Sequence, residues 1–109
     1  MSSFQIFRGT NFQYYFRFKA SNGEQILSSE SYITKQSCQD GIASVKAHAP
    51  YDNNYRRIDK PSDYRFNLVA KNNEIIARSS EGYTTSYNRD KAIEVVKKEA
   101  PTAPVYDLT

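Results

Sequence analysis

Cations and aromatic rings interleave along two stretches of this 109-residue chain in a way that could hold a nucleic-acid strand. Phe7, Tyr15, Arg17 and Lys19 come from the first half, Arg65 and Lys71 from the second. On one open sheet face such rings can stack bases while the guanidinium and ammonium groups neutralise phosphates. The same residues equally suit a plain surface strand, because Tyr is a good strand former and charge keeps exposed strands from pairing with other chains. No ribonucleoprotein-type aromatic motif accompanies them, so the pattern defines a candidate face and leaves its partner open.

A second constellation is written twice. Ser28-Ser29-Glu30-Ser31-Tyr32-Ile33-Thr34 returns as Ser79-Ser80-Glu81-Gly82-Tyr83-Thr84-Thr85, an S-S-E-x-Y-x-T core at an offset of 51 residues. Two readings compete for Ser29, Glu30 and Tyr32 and for Ser80, Glu81 and Tyr83. Hydroxyls suit strand-to-helix turns and a Tyr ring can seal a core corner, or Glu30 and Glu81 occupy twin pseudo-symmetric pockets. Structural punctuation needs fewer assumptions.

The remaining reactive types are sparse. His48, the only histidine, falls in the last turn of a helical pattern, where a cation complements the helix dipole. No orienting acid or nucleophile is placed to make it a catalytic base. Cys38, the only cysteine, stands near a helix N-terminus, which would activate a thiolate, but shares an apolar stripe, which would bury it. One Cys and one His ten residues apart match no metal-ligand spacing, and a single cysteine excludes a disulfide framework. No catalytic residue, metal site or cofactor is expected. Arg56 and Arg57, with Arg78 and Arg89, either add a second basic patch in the second repeat or, the default reading, are solvated surface charge. Fifteen Lys and Arg against twelve Asp and Glu leave only +3, so any basic function must come from clustering.

The elements that would position these residues follow from periodicity. Residues 3–8 read as a strand stopped by Gly9-Thr10-Asn11. Phe12, Tyr14, Phe16, Phe18 and Ala20 alternate with Gln13, Tyr15, Arg17 and Lys19, a strand with one face on a core. Asn22-Gly23 is a hairpin turn, and residues 24–29 form a third strand. Cys38, Ile42, Val45 and Ala49 then mark one stripe of a helix that Ser37 would cap and Pro50 would end. The plan recurs: strand 55–59, strand 63–71 with Tyr64, Phe66, Leu68 and Ala70 inward, turn Asn72-Asn73, strand 74–80 with a one-residue slip near Ala77-Arg78. A helix follows, with Asn88 as cap, Ile93, Val96 and Ala100 as stripe and Pro101 as stop.

Two tandem β-β-β-α repeats, residues 3–50 and 55–101, therefore predict one α+β domain over 1–101. Neither repeat can bury its apolar face alone. A single antiparallel sheet should carry both helices on one face and leave the other bare. Residues 102–109 have no counterpart in the first repeat and read as a flexible tail. Nothing resembles a secretory signal, and no apolar run is long enough to span a bilayer, so a cytoplasmic monomer with no membrane partner is expected.

The residues also resemble the YegP-like family of small, mostly bacterial proteins of unknown function. The marks are Asn22-Gly23-Glu24, then Ser29-Glu30-x-Tyr32, then Gly41-Ile42-Ala43-Ser44-Val45-Lys46, within a likeness running over roughly residues 4–101. The resemblance implies tandem β-β-β-α repeats in a single sheet and brings no known activity. Lys91-Ala92-Ile93-Glu94-Val95-Val96 departs from it in the second repeat. That implies unequal approach of the two helices to the sheet, since glycine permits the nearest contact. The function expected is a non-enzymatic binding or protein-interaction module using the bare sheet face or an edge strand. The alternative is single-stranded nucleic-acid binding through the basic and aromatic face.

Overall fold

A computed structural model describes residues 1–109. The first repeat comprises β1 (Ser3–Arg8), β2 (Tyr14–Lys19), β3 (Gln25–Ser28) and α1 (Lys35–His48). The second comprises β4 (Tyr55–Lys60), β5 (Asp63–Val69), β6 (Ile75–Ser79) and α2 (Ser86–Glu99), and a short strand β7 (Val105–Asp107) follows. All seven strands join one sheet in the order β4-β5-β6-β3-β2-β1-β7. Both helices pack on one face of it, and a single cluster of 20 buried residues draws on both repeats. No helix is long and apolar enough to cross a membrane.

Alternation sets the two faces. Phe16 and Phe18 are fully buried while Tyr15, Arg17 and Lys19 point to the other side; Phe66 and Leu68 repeat this beside Arg65 and Asn67. The helix stripes Cys38-Ile42-Val45-Ala49 and Ile93-Val96-Ala100 are buried against those strands. Each repeat carries a β-bulge at its second hairpin, between Phe18 and Lys19 and between Leu68 and Val69. The extra residues, Ile26 and Ile76, join the core. The hairpin turns match bond for bond. Asn22 Oδ1 accepts from Glu24 N at 2.9 Å and Asn72 Oδ1 from Glu74 N at 3.0 Å. Gly23 and Asn73 hold the left-handed position after them.

The halves meet where β3 pairs antiparallel with β6, Leu27 opposite Ser79 and Ser28 opposite Arg78. Ser28 and Arg78 are equivalent positions, 50 residues apart like Phe16 and Phe66. A residue paired with its own counterpart lies on a pseudo-two-fold axis, here perpendicular to the sheet.

Several expectations are corrected. Residues 102–109 are not a loose tail and the sheet is not wholly antiparallel: β7 runs parallel to β1, with Gln5 opposite Tyr106. The two repeats leave β1 with an open edge of unpaired backbone groups, and β7 covers it. Lys46 donates to the Ala103 carbonyl and Lys35 ion-pairs with Asp107, both at 2.8 Å. The helix caps are Thr34 and Thr85, not Ser37 and Asn88, whose backbone N–H groups donate to those threonine hydroxyls at 3.0 and 3.1 Å. Phe12 is not inward; it sits in the turn before β2 with φ 62° and is 74% exposed. The one-residue slip falls after Ser79 rather than at Ala77-Arg78. Ser29 and Ser79, 50 apart, both accept from the facing backbone N–H, of Phe16 and of Phe66. Tyr32 and Tyr83, 51 apart, both bridge the equivalent Tyr14 and Tyr64.

At Gly41 α1 packs against the sheet with no room for a side chain. A Cβ on Gly41 would lie 2.4 Å from the Tyr32 hydroxyl and 3.0 Å from the Phe16 ring, and the Tyr32 and Phe16 rings are stacked. Ala92 holds the equivalent place on α2 with its methyl accommodated. Gly41→Ala should therefore destabilise the fold by about 1–2 kcal/mol, the overpacking cost exceeding the helix-propensity gain of about 1 kcal/mol. Ala92→Gly should also destabilise, by about 1 kcal/mol. Urea unfolding checks both, and a Gly41→Ala protein as stable as the parent contradicts the close approach.

Candidate functional site

The uncovered sheet face is built by strand positions of one parity. Cross-strand pairing lines up Tyr106, Gln5, Arg17, Ser28, Arg78, Asn67 and Arg56 in one row across all seven strands. Neighbouring rows add Phe7 and Tyr15, Lys19 and Gln25, Ile58 and Arg65, and Lys60 and Asp63. Six cations thus occupy strand positions on this face (Arg17, Lys19, Arg56, Lys60, Arg65, Arg78) and Asp63 is the one carboxylate among them.

Local contacts pre-order part of this face. The Phe7 and Tyr15 rings stack at 5.6 Å and 16°, with the Arg17 guanidinium 4.6 Å from the Phe7 centroid. Gln5 Oε1 accepts from Arg17 Nε at 2.7 Å, fixing the guanidinium over the ring. Arg78 pairs with Glu30 at 3.0 Å and Arg65 with Asp63 at 2.9 Å, both exposed pairs of small net worth. Lys19 and Lys60 make no ion pair. At the centre, Gln25 Nε2 donates to Ser28 Oγ and Ser80 Oγ, and those hydroxyls lie 2.8 Å apart.

Of the residues singled out in the sequence, Phe7, Tyr15, Arg17, Lys19 and Arg65 are brought together on this face. Lys71 is not: it lies in the exposed turn after β5. Sequence reading set Arg56 and Arg78 apart from this face and missed Lys60 and Tyr106. Arg78 reaches the centre of the row only through the β3–β6 pairing, which joins residues 50 apart, and no local pattern announces it. Arg89, read as solvated, is 2% exposed; its Nη1 is held by Asp59 at 2.6 Å and its Nε by Asp90 at 2.7 Å on the helix side.

The repeated motif is joinery. Ser29 ties to β2, Tyr32 and Tyr83 make two-way backbone bridges at 2.8 Å, and the closing threonines cap the helices. Glu30 faces Arg78 and Glu81 is exposed, and neither lines a cavity. His48 Nδ1 donates to the Ser44 carbonyl at 2.8 Å within its own helix. No three His, Cys, Asp or Glu side chains converge closely enough to hold a metal ion.

Fold and surface together define a tandem-repeat α+β module: six pseudo-symmetric strands and an appended seventh, helices on one side, a cationic and aromatic face on the other. A family model described as "Domain of unknown function (DUF1508)" matches twice, over residues 10–55 and 59–107, one match per repeat. The chain belongs to that family. A UPF0339 protein of Bordetella pertussis is 44% identical over 110 residues, covering 100% of this chain and 98% of its own. A UPF0339 protein from the ptx operon 5′ region of Stutzerimonas stutzeri is 40% identical over 97% of this chain and 96% of its own. Among solved structures, a UPF0339 protein of Shewanella oneidensis superposes with TM-score 0.90 at 35% identity, covering 99% of this chain and 92% of that one. YegP of Escherichia coli, described as a protein of unknown function, gives 0.89 at 37% identity, with coverage of 99% and 93%.

Cys38 stands apart from both surfaces. It is fully buried, and desolvation, with a smaller push from the Asp107 carboxylate, raises its thiol to about 11. The native protein should therefore resist alkylation by iodoacetamide near pH 8 and react fully in urea, as mass spectrometry would show. Rapid native labelling contradicts the buried placement.

Proposed function

We propose that this chain is a non-catalytic binding module, and that the open face of its sheet is the contact surface. Charge segregation carries the reading: six cations and one carboxylate share the open strand positions. Asp59 and Asp90 lie instead on the helix side around Arg89, and Asp52 is held near 2 there by hydrogen bonds from Lys97 and Arg57. A face that gathers six cations from four strands suits an extended anion.

Single-stranded nucleic acid fits the composition best. The Arg17–Phe7–Tyr15 stack offers both a ring surface and a fixed guanidinium, and Lys19 beside it has no partner to give up. An acidic polypeptide is the competing occupant, satisfied by the cations alone and having no use for the rings. A bacterial, cytoplasmic, monomeric setting accompanies the proposal. The relatives named above are bacterial, the one cysteine is an unpaired thiol, and the charged β4 edge discourages pairing between copies.

Anisotropy titration with a labelled oligothymidine, and in parallel with labelled poly-glutamate, tests the occupant. Oligothymidine should bind on the order of micromolar at low salt, weaken steeply as salt rises, and lose binding in an Arg17→Glu/Arg78→Glu variant. Absence of oligothymidine binding at low ionic strength, or binding indifferent to the reversal, overturns the nucleic-acid reading. Poly-glutamate binding alone overturns it in favour of an acidic protein.

A further inference from the structure

On the helix side, the duplication builds the same cleft twice. One lies between the β2–β3 hairpin and α2, the other between the β5–β6 hairpin and α1. Their walls correspond at all but one position each: Glu24 answers Glu74, Ile26 answers Ile76, Tyr83 answers Tyr32 and Val95 answers Ser44. A shared architecture explains why two clefts exist. It does not explain how they differ.

The first cleft encloses about 410 Å³ and the second about 270 Å³. Where the first has Lys91 the second has Asp40, and where the first has Asn88 the second has Ser37. Glu24 and Lys91 therefore bring opposite charges to one cleft. Neither forms an ion pair with the other or with anything else. In the same cleft the Tyr83 hydroxyl is buried and makes no well-formed hydrogen bond, the one such side-chain atom in the molecule, with the Glu24 carboxylate as its nearby acceptor. A buried hydroxyl without a well-formed bond is costly, so its persistence beside two charges that form no ion pair needs a reason. Burial, then the Glu24 charge, raises the Tyr83 phenol, which keeps it a neutral hydroxyl that can both donate and accept.

The geometry points to a binding site for a small zwitterion of the α-amino-acid class in the cleft between the β2–β3 hairpin and α2. Its ammonium would sit between the Glu24 carboxylate and the Tyr83 oxygen, and its carboxylate would meet the Lys91 ammonium and the Asn88 amide. An aliphatic side chain would lie on Ile26 and Val95. The volume falls within the range of small-molecule sites. The twin cleft is a built-in control, because Asp40 and Glu74 give it two carboxylates and no cation for a ligand carboxylate.

The test follows amide cross-peaks of isotope-labelled protein during titration with L-leucine, its methyl ester, which lacks the carboxylate, and 4-methylpentanoate, which lacks the ammonium. L-Leucine should shift the amides around Tyr83 and Lys91, saturate in the millimolar range or below, and leave those around Ser37 and Asp40 unmoved. The two analogues, and the Glu24→Gln and Lys91→Glu variants, should each weaken binding about tenfold or more. Neither substituted side chain is in an ion pair, and Lys91 rests only over the exposed Tyr87 ring at 5.4 Å, so the variants should keep the parental spectrum elsewhere. No L-leucine-dependent shift, equal shifts in both clefts, or affinity unchanged in Lys91→Glu overturns the assignment.

Discussion

The whole molecule depends on one short seam. β3 and β6 meet through the pairs Leu27–Ser79 and Ser28–Arg78, extended by the Ser80 N–H donating to the Ile26 carbonyl at 2.9 Å. A lone three-stranded repeat with one helix would expose the apolar edge of its sheet and half of its helix stripe. Joined at the seam, the repeats pool Phe4, Phe16 and Phe18 with Phe66, Leu68 and Ile93 in one core. The same pairing makes the outer face continuous, and it brings each hairpin beside the other repeat's helix, creating the two clefts. Seam, core, face and clefts are consequences of one act of strand pairing.

Pseudo-symmetry then becomes a frame in which differences are informative. Gly41 leaves room for Tyr32 and Phe16 where Ala92 carries a buried methyl. Cys38 and Arg89 occupy equivalent stripe positions, yet one is a small buried thiol and the other a buried guanidinium. Arg89 is tolerated there because Asp59 on β4 and Asp90 on its own helix reach it, and the Arg65 carbonyl accepts from it at 3.2 Å. Asp40 and Lys91 put opposite charges at the same position of the two clefts. The copies kept their backbone and diverged in the side chains that decide approach, burial and charge.

Local pattern made the repeated elements legible. Period-two alternation at Phe16 and Phe18 and the stripe through Ile42 and Val45 report side-chain environment directly, and all four residues are buried. What was not legible was non-local or a matter of one torsion. β7 forms because β1 has an open edge, a fact about the sheet and not about residues 105–107. Arg78 belongs to the open face because of a pairing 50 residues away, and Arg89 is buried because charges from two elements converge on it. Phe12 continues the alternation in letters, but its turn conformation takes it out of the strand. The caps were within reach, since the repeated motif ends in Thr both times. In the cleft, Glu24 and Lys91 lie too far apart in sequence for any spacing rule to link them.

Native-state hydrogen exchange at increasing urea measures most directly whether the two repeats are one structure. If the seam fuses them, the slowest amides of β2 and β5, those of Phe16 and Phe66 among them, converge on a single global unfolding free energy with one urea dependence. Two separate isotherms, one repeat opening while the other stays protected, would contradict a shared core and a continuous face.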